Sequence, residues 1–161
     1  TSPYGESKVM MEKEIKRFEV NHDVNYVILR FFNIYGIGQS PEYAGVITKF
    51  VKKIELNKSL EIFGDGMQTR DFISINDVVD SIFYSIKNGE NQTYNIASGN
   101  PITIKYLAEL MISLYKKDLK INYNDIKKGD IRFSEADISL AKKELQYIPK
   151  YKIENIKNIL N

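Results

Sequence analysis

The sequence predicts an α/β protein, because segments with helical and strand-like patterns alternate along its 161 residues. The helical segments carry apolar residues three or four positions apart, with charged residues between them. The strand-like segments are short runs of β-branched and aromatic residues bounded by turn residues. No internal repeat and no low-complexity linker interrupts this alternation. The length allows one hydrophobic core, either of a whole domain or of a piece of a larger one.

The first element is a predicted amphipathic helix over residues 4–20. Ser2 is suited to be its N-cap, and Pro3 suits its first turn, where a missing N–H leaves nothing unpaired. Its apolar face is predicted to comprise Met11, Ile15 and Phe18. The aromatic and β-branched run at residues 25–31 then predicts a buried strand.

The middle of the chain continues the alternation. A glycine-containing loop leads to a helix marked by apolar residues from Val46 to Ile54. Strands are predicted at residues 60–63 and 72–75, and a Gly-Asp-Gly turn at 64–66 ends the first of them.

The next predicted helix opens at Asp77 and ends at Gly89. Its buried stripe is predicted to comprise Val78, Val79, Ile82, Phe83 and Ile86. A strand at residues 93–97 and a strong amphipathic helix at 103–116 follow. The remaining elements are a short strand at 121–123, a helix marked by Ile138, Ala141 and Leu145, and a last helix marked by Ile153, Ile156 and Ile159.

Composition excludes several classes of function. Lys and Arg total 23 against 21 Asp and Glu, so charge gives no reason to expect nucleic acid or a membrane surface as a partner. The absence of cysteine excludes disulfides and thiolate catalysis. With a single histidine, the sequence gives little support for a histidine-based metal site or a Ser-His-Asp triad. With no apolar run of bilayer length and no secretory leader, we expect a cytoplasmic protein without a bound metal.

The sharpest local pattern is Tyr4-Gly5-Glu6-Ser7-Lys8. Positions four apart share one face of a helix, so Tyr4 and Lys8 are expected to be neighbours. A nearby ammonium favours the phenolate and would lower the pKa of Tyr4 from its usual value of about 10. A tyrosine tuned in this way can take a proton from a hydroxyl group. The alternative is a solvated lysine beside a partly buried ring, which is the usual meaning of so short a pattern.

Residues 2–8 resemble the active-site helix of the extended short-chain dehydrogenase/reductase family. Further motifs similar to that family follow in family order: Arg-Phe-Phe-Asn-Ile-Tyr-Gly at 30–36, Ile-Phe-Gly-Asp-Gly-Met-Gln-Thr-Arg-Asp-Phe-Ile at 62–73, Tyr-Asn-Ile-Ala-Ser-Gly at 94–99, Gly-Asp at 129–130 and Ala-Asp-Ile-Ser at 136–139. The run at 62–73 is characteristic of nucleotide-sugar epimerases and dehydratases. The motifs span nearly the whole chain, which therefore looks like the C-terminal part of an NAD-dependent nucleotide-sugar epimerase of the UDP-glucose 4-epimerase type.

The resemblance implies a catalytic and cofactor-binding set. Tyr4 would act as general base and acid. Lys8 would lower the pKa of Tyr4 and hold the nicotinamide ribose, and Phe32 would contact NAD through its backbone. The alternative for Phe32 is a plain core residue.

The resemblance also implies a sugar-nucleotide site. Asn33 would hydrogen-bond the sugar nucleotide, and Arg70 would bind the diphosphate, since a guanidinium fork suits phosphate oxygens. Asp130 would contact the nucleoside end, and the nucleobase slot would be lined by Glu61, Ile62 and Phe63. The alternatives are that Asn33 only closes a turn and that Arg70 forms a surface ion pair with Asp71.

Three departures from the family pattern bear on these roles. Lys127 stands where relatives often carry arginine, so its grip on the diphosphate would be that of a point charge. Gly45 stands where some epimerases place an asparagine that contacts the ligand. The glycine-rich turn that holds the NAD pyrophosphate in the family is absent, as is the catalytic serine or threonine that precedes the tyrosine. We therefore expect a fragment that is inactive and does not bind NAD by itself.

The implied architecture is a C-terminal substrate-binding lobe joined to residual strands and the active-site helix of an incomplete Rossmann sheet. Residues 1–36 would form the active-site helix and a late Rossmann strand. Residues 37–161 would form the lobe, with one returning Rossmann strand near 93–97. The implied partners are a nucleotide-sugar substrate and a second copy of the chain, bound through the helix at 4–20.

Several functions stay open at this stage. Within the family, the reaction could be 4,6-dehydration or decarboxylation in place of epimerisation. The sequence Thr69-Arg70-Asp71-Phe72-Ile73 favours an epimerase over a decarboxylase, which usually has serine after that arginine. If the chain is not part of an enzyme, it could be a non-catalytic sugar-nucleotide-binding fragment or a structural domain without a ligand.

Overall fold

Alternating helices and parallel strand pairs form the structure, a computed structural model that describes residues 2–39, 45–126 and 129–160. The helices are α1 (Pro3–His22), α2 (Val46–Glu55), α3 (Ile75–Asn88), α4 (Ile104–Leu114) and α5 (Ile156–Leu160). The strands are β1 (Val27–Phe31), β2 (Asn33–Tyr35), β3 (Leu60–Phe63), β4 (Thr69–Arg70), β5 (Phe72–Ser74), β6 (Gln92–Ile96), β7 (Ile102–Thr103) and β8 (Ile121–Asn124). A π-helical turn covers Ala141–Leu145, and a 3₁₀ turn covers Ile153–Asn155. The predicted α/β class is confirmed.

The described strands pair in twos. Three pairs are parallel, namely β1 with β6, β2 with β5, and β3 with β8, whereas β4 and β7 are antiparallel. Parallel pairs need crossover connections, and helices α2 to α4 lie between the paired strands along the chain. The strands β2, β4 and β7, each of two or three residues, were not expected from the sequence.

Two clusters of buried side chains form the core. The first lies among α2, α4, α5 and β3 and is centred on Ile54, Leu60, Leu107, Met111 and Ile156. The second lies among β5, β6 and the π-helical turn and includes Ile73, Tyr94, Ile96, Leu145 and Tyr147. Phe72 of β5 belongs to the first cluster and Ile73 to the second, and the candidate site lies beside the first cluster.

Helix α1 begins as predicted, since Ser2 Oγ accepts a hydrogen bond of 3.1 Å from Gly5 N and Pro3 is its first residue. None of its residues is buried. The predicted apolar face is exposed, with 54% of the surface of both Met11 and Phe18 open to solvent. A bidentate ion pair between Glu12 and Arg30 joins the helix to β1. The strand beneath it is shorter than predicted and only half-buried, because β6 is its single partner among the described strands.

The predicted burial of α3 is wrong at every position except Val78. The helix begins at Ile75 with Ser74 as its N-cap, so Asp77 does not open it. Its buried residues are Asp77, Val78, Ser81 and Ser85, while Val79, Ile82, Phe83 and Ile86 are exposed. The helical period was correct, but the buried face is rotated, and hydrogen bonds satisfy the polar groups that this face buries. The serine hydroxyls donate to carbonyls three residues earlier, and the Asp77 carboxylate accepts from the backbone N–H groups of Lys150 and Tyr151.

The C-terminal elements agree in place but differ in kind. The helix expected around Ala141 is a single π-helical turn, and the last helix begins with a 3₁₀ turn before α5. Lys127 lies outside the described residues. No helix in the described ranges is long and apolar enough to cross a membrane.

Candidate functional site

A cavity of about 610 Å³ lies where β2, β3, β4 and the start of α2 meet. Among the residues that line it are all the described members of the predicted substrate-binding set: Asn33, Glu61, Ile62, Phe63, Arg70 and Asp130. These residues come from four separate segments of the chain and span almost a hundred positions in sequence. The fold thus brings them to one place.

Arg70 is fixed at one wall of this cavity. Its Nη1 donates to the carbonyl oxygens of Thr69, at 2.7 Å, and Ile131, at 2.6 Å, and its Nη2 donates to the Asp130 carboxylate. Only 16% of its side chain is exposed. The alternative of a surface ion pair with Asp71 is therefore wrong: the partner is Asp130, and the guanidinium is held at the cavity by three acceptors.

A second ion pair holds the segment that carries Asp130. Arg132 makes a bidentate pair with Asp65, at 2.6 and 2.8 Å, and the hydrogen bonds from Arg132 lower the pKa of Asp65 to about 2. The carbonyl oxygen of Arg132 accepts from Thr69 N at 3.0 Å. The segment at 129–134 is therefore tied to the turn after β3 and to β4, which places Asp130 over the cavity.

One edge of β3 faces the cavity. Leu60 N donates to Lys120 O and Gly64 N donates to Asn124 O, so alternate residues of the strand bond to β8. The backbone amides of Glu61 and Phe63 consequently lie on the opposite edge. On this edge, the carbonyl oxygen of Phe63 accepts a hydrogen bond from Gln68 Nε2 at 2.7 Å. The Glu61 side chain is exposed and pairs with Lys53 at 2.8 Å.

Asn33 and Asp71 join three segments behind the cavity. Both Asn33 N and Asn33 Nδ2 donate to the carbonyl oxygen of Asp71, at 3.1 and 2.9 Å. The Asp71 side chain is fully buried, and its carboxylate accepts from Ser98 N at 2.8 Å, Ser98 Oγ at 2.6 Å and Gly99 N at 2.9 Å. The peptide between Arg70 and Phe72 is thereby anchored both to β2 and to the turn after β6.

The predicted catalytic pair lies apart from this cavity. Lys8 Nζ is 5.3 Å from the centroid of the Tyr4 ring, so the two side chains are neighbours on the first turns of α1. Tyr4 is 72% exposed. Phe32 is half-buried against the second core cluster, and its N–H donates to Ile96 O at 3.1 Å. None of these three residues lines the cavity.

The residues that sequence reasoning missed include Gln68 and Phe72, which also line the cavity. Gln68 lies within the motif at 62–73, but the family resemblance implies no role for it. Gly45 lines the cavity as the N-cap of α2 and makes no side-chain cap. In the described ranges, no group of three or more His, Cys, Asp or Glu could hold a metal ion.

The chain matches known proteins over nearly all of its length. The NAD dependent epimerase/dehydratase family matches residues 1–97. A UDP-glucuronate 4-epimerase of Thermodesulfobacterium geofontis is 34% identical over 154 residues, which are 95% of this chain and 47% of that protein. A dTDP-D-glucose 4,6-dehydratase of Homo sapiens is 34% identical over 118 residues, or 73% of this chain and 33% of that protein.

A solved structure with a similar fold is also that of an epimerase. A crystal structure of UDP-glucose 4-epimerase from Thermotoga maritima, solved with UDP-glucose, superposes with a TM-score of 0.95 at 33% identity. It is matched over 99% of this chain and 52% of its own length. The chain thus spans about half the length of the relatives it matches. With the family matched over more than half of the sequence, this chain belongs to the NAD dependent epimerase/dehydratase family.

Proposed function

We propose that this chain forms the C-terminal part of an NAD-dependent UDP-sugar 4-epimerase, which interconverts UDP-glucose and UDP-galactose through a 4-keto intermediate. The observation that carries the proposal is that one cavity is lined by Asn33, Arg70, Asp130 and the residues of β3. A guanidinium, a carboxylate and a strand edge suit the diphosphate, the ribose and the base of a nucleotide. The likeness to a UDP-glucose 4-epimerase supports the same ligand.

The chemistry of this chain's own residues would be proton transfer. Tyr4 Oη takes the proton of the sugar C4 hydroxyl and later returns it, and the Lys8 ammonium beside it stabilises the phenolate. Arg70 holds the diphosphate while the sugar turns over in the site. Asn33, whose amide nitrogen is held by Asp71, presents its amide oxygen to the ligand.

Tyr4, Lys8 and Phe32 would hold NAD in the whole protein, where the cofactor would supply reversible hydride transfer at the sugar carbon. The exposed Tyr4 hydroxyl and Lys8 ammonium are donors that fit the hydroxyls of the nicotinamide ribose. The sequence holds no glycine-rich turn for the pyrophosphate. We therefore propose that the chain alone holds a sugar nucleotide but neither binds NAD nor turns over.

Dehydration is the second candidate reaction. The dTDP-D-glucose 4,6-dehydratase and the UDP-glucuronate 4-epimerase are each 34% identical to this chain over the residues that they match. The two reactions share proton transfer by tyrosine and the diphosphate site, so these residues do not distinguish them. The product does. Incubation of the whole protein with UDP-glucose would give UDP-galactose from an epimerase and a 4-keto-6-deoxy sugar nucleotide from a dehydratase, which mass spectrometry separates by the loss of water.

Arg70→Ala is expected to weaken the binding of UDP to this chain by roughly 10- to 100-fold, because charge-assisted hydrogen bonds contribute about 1.5–3 kcal/mol. Calorimetric titration of the chain with UDP measures the change. Arg17→Ala is the matched control, since Arg17 is an exposed arginine on α1 that pairs only weakly with Glu14 at 3.8 Å. Equal affinities for UDP in the Arg70 variant and the control would contradict the diphosphate role.

A homodimer through α1 is the proposed assembly. The helix has no buried residue, and Met11, Ile15 and Phe18 lie exposed along it. Replacing Ile15 and Phe18 with serine is expected to raise the dimer dissociation constant by at least about tenfold, because each buried side chain of this size contributes roughly 1.5–3 kcal/mol. Sedimentation equilibrium measures it. Phe83→Ser is the control, because Phe83 is equally apolar and exposed but lies on α3. A chain that stays monomeric at high concentration would contradict the proposal.

A further inference from the structure

The polar contacts between helix α1 and the rest of the structure converge on one ion pair. No residue of the helix is buried, and none belongs to either core cluster. Among the residues that the structure describes, the pair of Glu12 and Arg30 is the only hydrogen-bonded or ionic link from α1 to another element. These are therefore the directional contacts that can fix how the helix lies on β1.

The ion pair has the geometry of a rigid contact. Arg30 Nε donates to Glu12 Oε1 at 2.6 Å, and Arg30 Nη2 donates to Glu12 Oε2 at 2.5 Å. Two parallel hydrogen bonds between planar groups fix both distance and relative orientation. The Glu12 side chain is only 18% exposed, on a helix without buried residues. The hydrogen bond from Arg30 holds the pKa of Glu12 below its usual value, so the carboxylate stays ionised near neutral pH.

Both partners lie close to residues of the proposed site. Glu12 follows Tyr4 and Lys8 at intervals of four residues, so the three side chains lie within about 80° of one another around the helix axis. Arg30 lies near the end of β1, three residues before Asn33, which lines the cavity. The pair thus connects the helix that carries the proton-transfer group to the strand that leads into the cavity.

From these contacts we infer that Glu12 and Arg30 are positioning residues, which set the place of the Tyr4 hydroxyl relative to the cavity. Tyr4 is 72% exposed and does not line the cavity, so its distance from a sugar held there depends on how α1 lies on β1. A misplacement of about 1 Å can lower a reaction rate about 10²-fold. The catalytic consequence rests on the proposed function, whereas the placing of the helix does not.

The placing of α1 can be measured on this chain by the distance between two spin labels. The sequence has no cysteine, so Lys16→Cys on α1 and Asn122→Cys on β8 would label only these two exposed positions. In an excess of unlabelled chain, pulsed electron resonance gives the distance distribution within one molecule. Arg30→Gln is expected to broaden this distribution about twofold, because the helix loses its bidentate contact. Arg17→Gln, at an exposed arginine of α1, is the matched control. An unchanged distribution in Arg30→Gln would overturn the inference.

The catalytic consequence is tested on the whole enzyme. Arg30→Gln and Glu12→Gln are each expected to lower kcat about 10- to 100-fold with unchanged KM for UDP-glucose, because the cavity stays intact while Tyr4 is displaced. Exchange of the partners, Glu12→Arg with Arg30→Glu, is expected to restore most of the lost turnover. Arg17→Gln is expected to leave kcat unchanged. Rescue by the exchanged pair distinguishes a contact between the two residues from a general loss of folding.

The remaining outcomes separate positioning from folding. If both single variants lower kcat and the unfolding temperature together, and the exchanged pair restores neither, the residues serve folding only and the inference is overturned. Wild-type kcat in both single variants would overturn it as well. If the unmodified whole protein does not turn over UDP-glucose, the proposed function fails, and the spin-label distances alone decide whether the pair places α1. Arg30→Lys, which keeps the charge and loses the guanidinium fork, repeats both measurements if Arg30→Gln does not fold.

Discussion

Tyr4→Phe in the whole enzyme is expected to lower turnover by roughly 10²–10⁴-fold, which is the usual contribution of a general acid-base group. Phenylalanine keeps the ring and loses the hydroxyl that would exchange a proton with the sugar. Because Tyr4 is 72% exposed and lies on a helix without buried residues, the substitution removes no packing from this chain. Steady-state conversion of UDP-glucose, followed by a coupled assay for UDP-galactose, measures the effect.

Two controls make the result specific. Tyr123→Phe removes the hydroxyl of another exposed tyrosine, on β8, and is expected to leave turnover unchanged. The present chain without further sequence is expected to show no turnover with NAD, in the unmodified form and in the Tyr4→Phe form alike. A loss below about tenfold in the whole enzyme would remove Tyr4 from the role of general base. Unchanged KM with a lowered kcat would place the effect in the chemical step.

The sequence was sufficient for elements whose pattern is local. Ser2 and Pro3 predicted the start of α1 because capping depends on neighbouring residues only. The strand at 60–63 and its Gly-Asp-Gly turn were predicted because both signals lie within seven residues. The burial of α3 was mispredicted because burial depends on what packs against each face. Serines that bond their own helix and an aspartate held by distant backbone can be buried as well as valine.

The candidate site shows the same division. Motif resemblance named the six described residues that line one cavity, but it could not say how they are held. Arg70 was given Asp71 as an alternative partner because the two are adjacent in sequence. Successive residues of an extended strand point to opposite sides, so Arg70 faces the cavity and Asp130 while Asp71 faces the interior. Gln68 was overlooked because its burial and its hydrogen bond to Phe63 O appear only in three dimensions.

Asp71→Asn is expected to lower the free energy of unfolding by about 3 kcal/mol, because hydrogen bonds to a charged group contribute about 1.5–3 kcal/mol each and one is replaced by repulsion between two donors. The carboxylate accepts from Ser98 N and Ser98 Oγ through one oxygen and from Gly99 N through the other. Asparagine can serve only one of these sides. Its amide nitrogen would then face an N–H or O–H donor in a fully buried position.

Urea unfolding measures the loss of stability. Asp118→Asn, at an exposed loop position, is the matched control and is expected to change the free energy of unfolding little.

Asp71→Asn is also expected to weaken UDP binding. Asp71 fixes the peptide that joins Arg70 to Phe72, and its carbonyl oxygen accepts both hydrogen bonds from Asn33. A stable Asp71→Asn protein would show that the Ser98–Gly99 turn keeps its place without the carboxylate. The anchor between the turn after β6 and the cavity would then have to lie in the backbone pairing of β2 with β5, whose register runs from Asn33 opposite Phe72 to Tyr35 opposite Ser74.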